Sequence, residues 1–156
     1  MKKLIASAVI GLISLDILLL LSTPLKAQEI QETAECTATV AKMRKTIEKG
    51  RHVLVSVSSS DISKNYSDHP LNRPNSYSFL MQGSSTEAIM RSPNFMKIIA
   101  TKIVNSCNSV SLIDFSYNNS GWVSVIGLMP NGSMEFFSCY DLTKGETQIW
   151  GKQFCD

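Results

Sequence analysis

Four cysteines behind an apolar leader restrict this chain's possible folds more than any other feature. Lys2 and Lys3 precede a mostly apolar run from Leu4 to Leu21, Ser22-Thr23-Pro24 interrupts it, and Leu25-Lys26-Ala27 offers a cleavage position. That is the layout of an export signal. The rival, an uncleaved membrane anchor, would have to carry Asp16 inside the span, at a cost of about 2.5–3.5 kcal/mol. Residues 1–27 therefore read as a signal peptide and 28–156 as one secreted or periplasmic domain, touching a membrane only through the leader before cleavage. In an oxidising compartment, Cys36, Cys107, Cys139 and Cys155 read as two disulfides. No C-x-x-C or Cys/His spacing supports zinc, and no motif implies a cofactor.

Two of the cysteines fall on helical stripes. With Phe95 at zero on a wheel of about 100° per residue, Phe95, Met96, Ile99, Ala100, Ile103 and Cys107 share one face. Ser92 suits the N-cap and Pro93 the first helical position, where a missing N–H costs nothing. An earlier helix, Ala34 to Lys49, aligns Cys36, Val40, Met43 and Ile47 on a narrow apolar stripe, and Gly50 is a natural stop. If these helices lie antiparallel, the start of one meets the end of the other. That favours Cys36–Cys107, with Cys139–Cys155 closing a C-terminal hairpin; the other two connectivities stay open.

The remaining runs read as strands. Val53, Val55 and Val57 alternate with polar residues, as do Tyr77, Phe79 and Met81. Between them Ser59 to Asn75 is a polar, aperiodic stretch with two prolines; loops of this length are often functional or mobile. Ser84 to Met90 suggests a further turn of helix. Val110–Tyr117, Trp122–Met129 and Met134–Tyr140 follow, with Asn131-Gly132 a strong hairpin signal. Gln148–Phe154, after a turn at Lys144-Gly145, is a candidate last strand. The order α-β-β-α-β-β-β(-β) implies an α+β fold: an antiparallel sheet of short strands, two helices on one face, stapled by disulfides.

Charge excludes one class of partner. Three of the 15 basic residues and one of the 13 acidic residues lie in the leader, so the remainder is balanced. Nucleic-acid binding rests on surplus Lys and Arg, and none is present.

The stretches LNRPNSYSFLMQG, SPNFMKIIATKIVNSCNSVSLIDFSYNNSGW, FFSC and WGKQFC resemble an uncharacterised family of small exported cyanobacterial proteins. The resemblance spans about Leu71 to Cys155, through Asn72-Arg73-Pro74, Ser92-Pro93, Cys107, Cys139 and Trp150-Gly151 to Cys155. It implies secretion, disulfides and a small α+β fold, and carries no activity.

Catalytic constellations are weak. A cysteine nucleophile would need a free thiol beside His52 or His69. Ser58-Ser59-Ser60-Asp61 lacks the G-x-S-x-G turn that exposes a serine nucleophile. Asp114, Glu135 and Asp141 could supply an acid pair for glycoside hydrolysis, but strands with solvent-facing acids meet that spacing often. The aromatics Trp122, Phe136, Phe137, Tyr140 and Trp150 are better read as sheet core with a surface member, Trp150 foremost. Arg73 could bind a ligand or staple its loop to backbone carbonyls. The ligand-binding candidates are thus Arg73, Trp150 and Tyr140. The expected function is non-catalytic binding of an envelope or extracellular protein or glycan; the alternative is a small periplasmic hydrolase with an unidentified acid pair.

Overall fold

A run of α1 (Ala34–Glu48), β1 (Leu54–Asp61), β2 (Asn75–Gln82), α2 (Thr86–Met90), α3 (Pro93–Ser106), β3 (Val110–Tyr117), β4 (Val123–Leu128), β5 (Met134–Phe136), β6 (Ser138–Tyr140) and β7 (Lys152–Phe154) makes up the chain's regular structure. The structure is a computed structural model and describes residues 33–140 and 148–155. The expected leader with its cleavage position, Asp141 and the turn expected at Lys144-Gly145 lie outside the described residues. β1 to β5 form one sheet in sequence order, and β6 and β7 form a second. The fold is the expected α+β arrangement, with a mostly antiparallel five-stranded sheet.

The apolar stripes decide how the helices lie. Cys36, Val40, Met43 and Ile47 are buried on α1, and Met96, Ile99, Ala100, Ile103 and Val104 on α3. They pack with Val55, Phe79, Met81, Ile113, Phe115 and Ile126, from alternate strand positions, into one core. Thr33 caps α1 by accepting the Cys36 N–H at 3.2 Å, and Gly50 ends it at φ +68°. Ser92 occupies the N-cap position of α3, but its side chain makes no cap bond. Its hydroxyl instead donates to the Ala88 carbonyl at 2.7 Å, because α2 ends just before it and leaves carbonyls unpaired.

Three features depart from a simple meander. β2 and β3 pair in parallel, since the chain between them climbs through α2 and α3 and returns on the same heading, as parallel neighbours require. The segment Met134–Tyr140 is broken at Phe137, so β5 pairs with β4 while β6 pairs with β7. β7 runs parallel to β6, so the second disulfide joins parallel strands rather than a hairpin. The long loop is also shorter than expected. β1 continues through Ser59, Ser60 and Asp61 in unbroken register with β2, leaving residues 62–74 as the connection.

Cys36 is bonded to Cys107 and Cys139 to Cys155, which leaves no free cysteine. The first bond ties the start of α1 to the end of α3 inside the core, both residues being fully buried.

Candidate functional site

The sheet face away from α1 and α3 is built from the other set of alternating positions. The register lines up Ser58, Ser78, Asp114 and Val125 in one row, and Ser60, Ser76, Leu112 and Gly127 in the next. The Ser60 and Ser76 hydroxyls are 2.9 Å apart, and Ser78 donates to Asp114 Oδ2 at 2.5 Å. Burial pushes the Asp114 carboxyl above the ordinary aspartate range, and the Ser78 bond opposes this only in part. A polar row with one acid in it therefore crosses the middle of this face.

One end of the face is roofed by two segments far apart in sequence. Residues 62–74 fold back on themselves: the Asp61 carboxylate accepts the Ser63 N–H at 2.8 Å, and Ile62 N–H donates to the Pro74 carbonyl at 2.7 Å. Ile62 and Tyr66 pack with Leu112 and Phe137 into a second apolar cluster, joined by Val125, Met129 and Trp150. The rings of Tyr66, Phe137 and Trp150 meet edge to face, with centroids 5.7, 5.4 and 5.0 Å apart, the arrangement aromatic quadrupoles favour. Gly127 makes room for them. A Cβ there would lie 2.3 Å from Phe137 and 3.0 Å from Trp150.

Polar contacts pin the same roof. Tyr66 Oη donates to the Lys152 carbonyl at 3.2 Å, and its pKa is pushed up to about 12, chiefly by burial. Trp150 Nε1 donates to the Leu128 carbonyl at 3.0 Å. Its backbone N–H donates to the Asp68 carboxylate at 3.0 and 3.1 Å. The Cys139–Cys155 bond holds the outgoing and returning chain together.

The expected site residues take different places. Arg73 sits at the loop's far end, where Nη1 donates to the carbonyls of Val104, Cys107 and Val110 at 3.1, 3.2 and 2.8 Å. It thereby serves the carbonyl end of α3, where a cation is also favoured by the helix dipole. Trp150 is half-buried in the aromatic cluster, and Tyr140 lies on β6 with its hydroxyl buried and unpartnered among the described residues. Phe136 joins the main core, and Trp122 lies beneath the Arg91 guanidinium, 5.5 Å from its ring centre. Glu135 is exposed and ion-paired with Lys97 at 2.8 Å, which holds its carboxyl below the ordinary range. His52 is exposed, and His69 Nδ1 lies 2.9 Å from the Pro70 carbonyl.

Two members of this region escaped sequence reasoning. Tyr66 stands in a polar loop with no periodicity to mark it as buried, and Asp68 carries no local signal that it will meet Trp150. The apolar side chains Ile149 and Phe154, on either side of Trp150 in the chain, are 56% and 53% exposed. No group of three or more His, Cys, Asp or Glu among the described residues is placed to hold a metal, and no described helix is long and apolar enough to cross a membrane. Comparison with protein-family models, with curated proteins and with solved structures gives no match to this chain.

Proposed function

We propose that this chain is exported, loses its leader, and acts without catalysis by binding a protein or glycan of the envelope or extracellular space. Membership of the exported cyanobacterial family belongs to the same proposal. The observation that carries it is the exposed pair Ile149 and Phe154, held on a segment fixed by a disulfide, an aromatic cluster and the Asp68 carboxylate. Exposed apolar side chains on a rigid platform lose little entropy on binding, which is what a recognition surface needs. The neighbouring row of Ser58, Ser78 and Asp114 offers hydroxyl and carboxyl partners for a polar ligand. Pairing of all four cysteines supports an oxidising destination.

The test uses protein expressed with its own leader and purified oxidised. It is applied to an array of envelope glycans and to isolated envelope fractions, beside the double variant Ile149→Ser/Phe154→Ser. Saturable binding that the double variant weakens at least tenfold is the expected result. Absence of binding, or binding that ignores the variant, contradicts the proposal. So does turnover of an array glycan.

A further inference from the structure

The balanced charge of residues 28–156 hides a segregation. From 42 to 51 five basic residues (Lys42, Arg44, Lys45, Lys49 and Arg51) stand against Glu48 alone, whereas the rest of 28–156 holds seven basic and eleven acidic residues. The turn of α1 sorts these charges. Arg44 and Glu48 pair with each other on the flank toward β1, where Glu48 Oε1 also accepts the Val55 N–H at 3.1 Å. Lys42, Lys45 and Lys49 fall within about 60° of one another on the opposite side from the buried stripe, and all three are exposed. Thr39 and Thr46, on the flank away from β1, are half-buried, so that flank is the one turned to α3.

The second helix extends the same surface. α1 and α3 lie antiparallel: Cys36 is bonded to Cys107 at one end, and the Arg51 guanidinium lies 4.9 Å from the Phe95 ring centre at the other. Lys42 and Lys102 are therefore about level. On the α3 wheel Lys102 falls about 20° from Phe95, on the side that meets Arg51, whereas Lys97 is turned away to Glu135 of β5. Lys42, Lys49 and Lys102 thus border the groove between the helices, with Lys45 beside it and Arg51 at its end. None of these four lysines has an ion-pair partner among the described residues. α3 has no acid, and Glu35 stands about 10 Å along α1 from Lys42. The helix dipole favours a cation in a last turn, which accounts for Lys45. It does not account for Lys42, nor for Lys102, since the last turn of α3 has no basic residue.

We propose that this groove binds an anionic polysaccharide, a sugar chain whose acid groups lie against Lys42, Lys45, Lys49 and Lys102. Ile98, 54% exposed beside Lys102, offers an apolar contact for the carbon face of a ring. A single exposed ion pair contributes little. A polyanion meets several cations at once and releases its own counterions, so its affinity is appreciable at low salt and falls steeply as salt is added. Along α1 the lysines rise in steps of about 4.5 and 6 Å, a row that suits a chain with repeating charge. Neither helix carries the Trp or Tyr that anchors proteins at a membrane interface, and a groove fits a chain better than a plane. The surface lies across the sheet from the aromatic roof, and rests on the reading above only for export.

The experiment is titration calorimetry on the oxidised protein expressed with its own leader. Its probes are polygalacturonate, neutral dextran, and vesicles of phosphatidylglycerol with phosphatidylcholine. Two double variants, Lys45→Gln/Lys102→Gln and Lys64→Gln/Arg91→Gln, lower the net charge equally, the first within the groove and the second away from it. Saturable binding of polygalacturonate that weakens with salt is expected, with neutral dextran inert. The groove variant is expected to bind about tenfold more weakly, the other variant less than twofold, and both to keep the wild-type circular dichroism. Ile149→Ser/Phe154→Ser is expected to bind polygalacturonate as wild type does. Absence of binding overturns the proposal, as does equal weakening in the two charge variants or tighter binding to the vesicles. Loss of binding in Ile149→Ser/Phe154→Ser alone overturns it too, while leaving the first reading in place.

Discussion

The two disulfides close very different neighbourhoods. Cys36–Cys107 is sealed inside the main core, between two helices whose apolar stripes also bury Met43, Ile47, Ile99 and Ile103. Cys139–Cys155 lies nearer the surface and fastens a two-stranded sheet whose burial rests on Tyr66, Phe137, Leu112 and Ile62. The first region is a continuous core to which the covalent bond is added. In the second, the bond, three aromatic rings and a few polar contacts do most of the holding. The conformational cost of ordering a segment is about 1–2 kcal/mol per residue, and a small cluster offsets it only with such help. The contrast teaches where the molecule is firm by packing and where by stapling, and the stapled part carries the exposed Ile149 and Phe154.

The largest expected effect separates the two regions directly. In the chain-entropy picture, closures of 71 and 16 residues contribute about 4.4 and 3.1 kcal/mol. Cys36→Ala/Cys107→Ala is expected to lose at least the larger figure in urea denaturation, and with it cooperative folding near body temperature. Cys139→Ala/Cys155→Ala is expected to lose about 3 kcal/mol or less, with the near-ultraviolet signal of the aromatic cluster falling while far-ultraviolet ellipticity stays. Equal losses of both signals in the second variant would erase the distinction.

Arg73→Met tests the joint between the regions. Three carbonyls at the end of α3 and the start of β3 lose a charged donor, and hydrogen bonds to charged groups are worth about 1.5–3 kcal/mol. A midpoint shift equivalent to about 2 kcal/mol is expected, and Arg73→Lys should not restore it fully, since the lysine ammonium ends one bond short of the Nη1 position and is more strongly hydrated than a guanidinium. Gly127→Ala acts on the stapled region alone. Its methyl must displace Phe137, an overpacking cost of about 1–3 kcal/mol, visible as altered Trp150 fluorescence with the main core unchanged.

The smallest effect is one of sign. Because burial raises the Asp114 pKa in the folded protein, the native state keeps a proton that the unfolded chain has released. Stability therefore falls as pH rises from the unfolded pKa to the raised folded one, and the penalty is complete above that. Asp114→Asn, which retains an acceptor for Ser78, is expected to raise the melting temperature at neutral pH and to give no gain below the ordinary carboxylate range. A gain that persists in acid would show that the carboxyl is not held in this way.

The firm region is also the legible one. The stripes on α1 and α3 name their own buried residues because a helix repeats every 3.6 residues, and the packing partner merely covers what the period marks. Val104 is the exception; it lies about 40° beyond Ala100, at the margin of the stripe through Phe95, yet is buried in the same core. In the stapled region burial comes from long-range closure. Tyr66 is covered by Phe137 and Trp150, more than seventy positions away, and nothing in SSDISKNYSDHP announces it. The break of Met134–Tyr140 at Phe137 is likewise invisible locally, since the residue that leaves one sheet is as strand-forming as its neighbours. The parallel β2–β3 pair follows from chain direction after the helices rather than from either strand's composition.

Native-state hydrogen exchange, amide by amide, tests the central contrast most directly. The account predicts that amides of β2, β3 and α3 exchange only through global opening. Those of Phe137, Ser138 and Lys152, whose carbonyl partners are Val125, Gly151 and Ile149, should exchange through a separate opening of lower free energy, lowered further by Cys139→Ala/Cys155→Ala while the core amides keep their protection. A single opening free energy shared by both sets, falling in step when the second disulfide is removed, would contradict it.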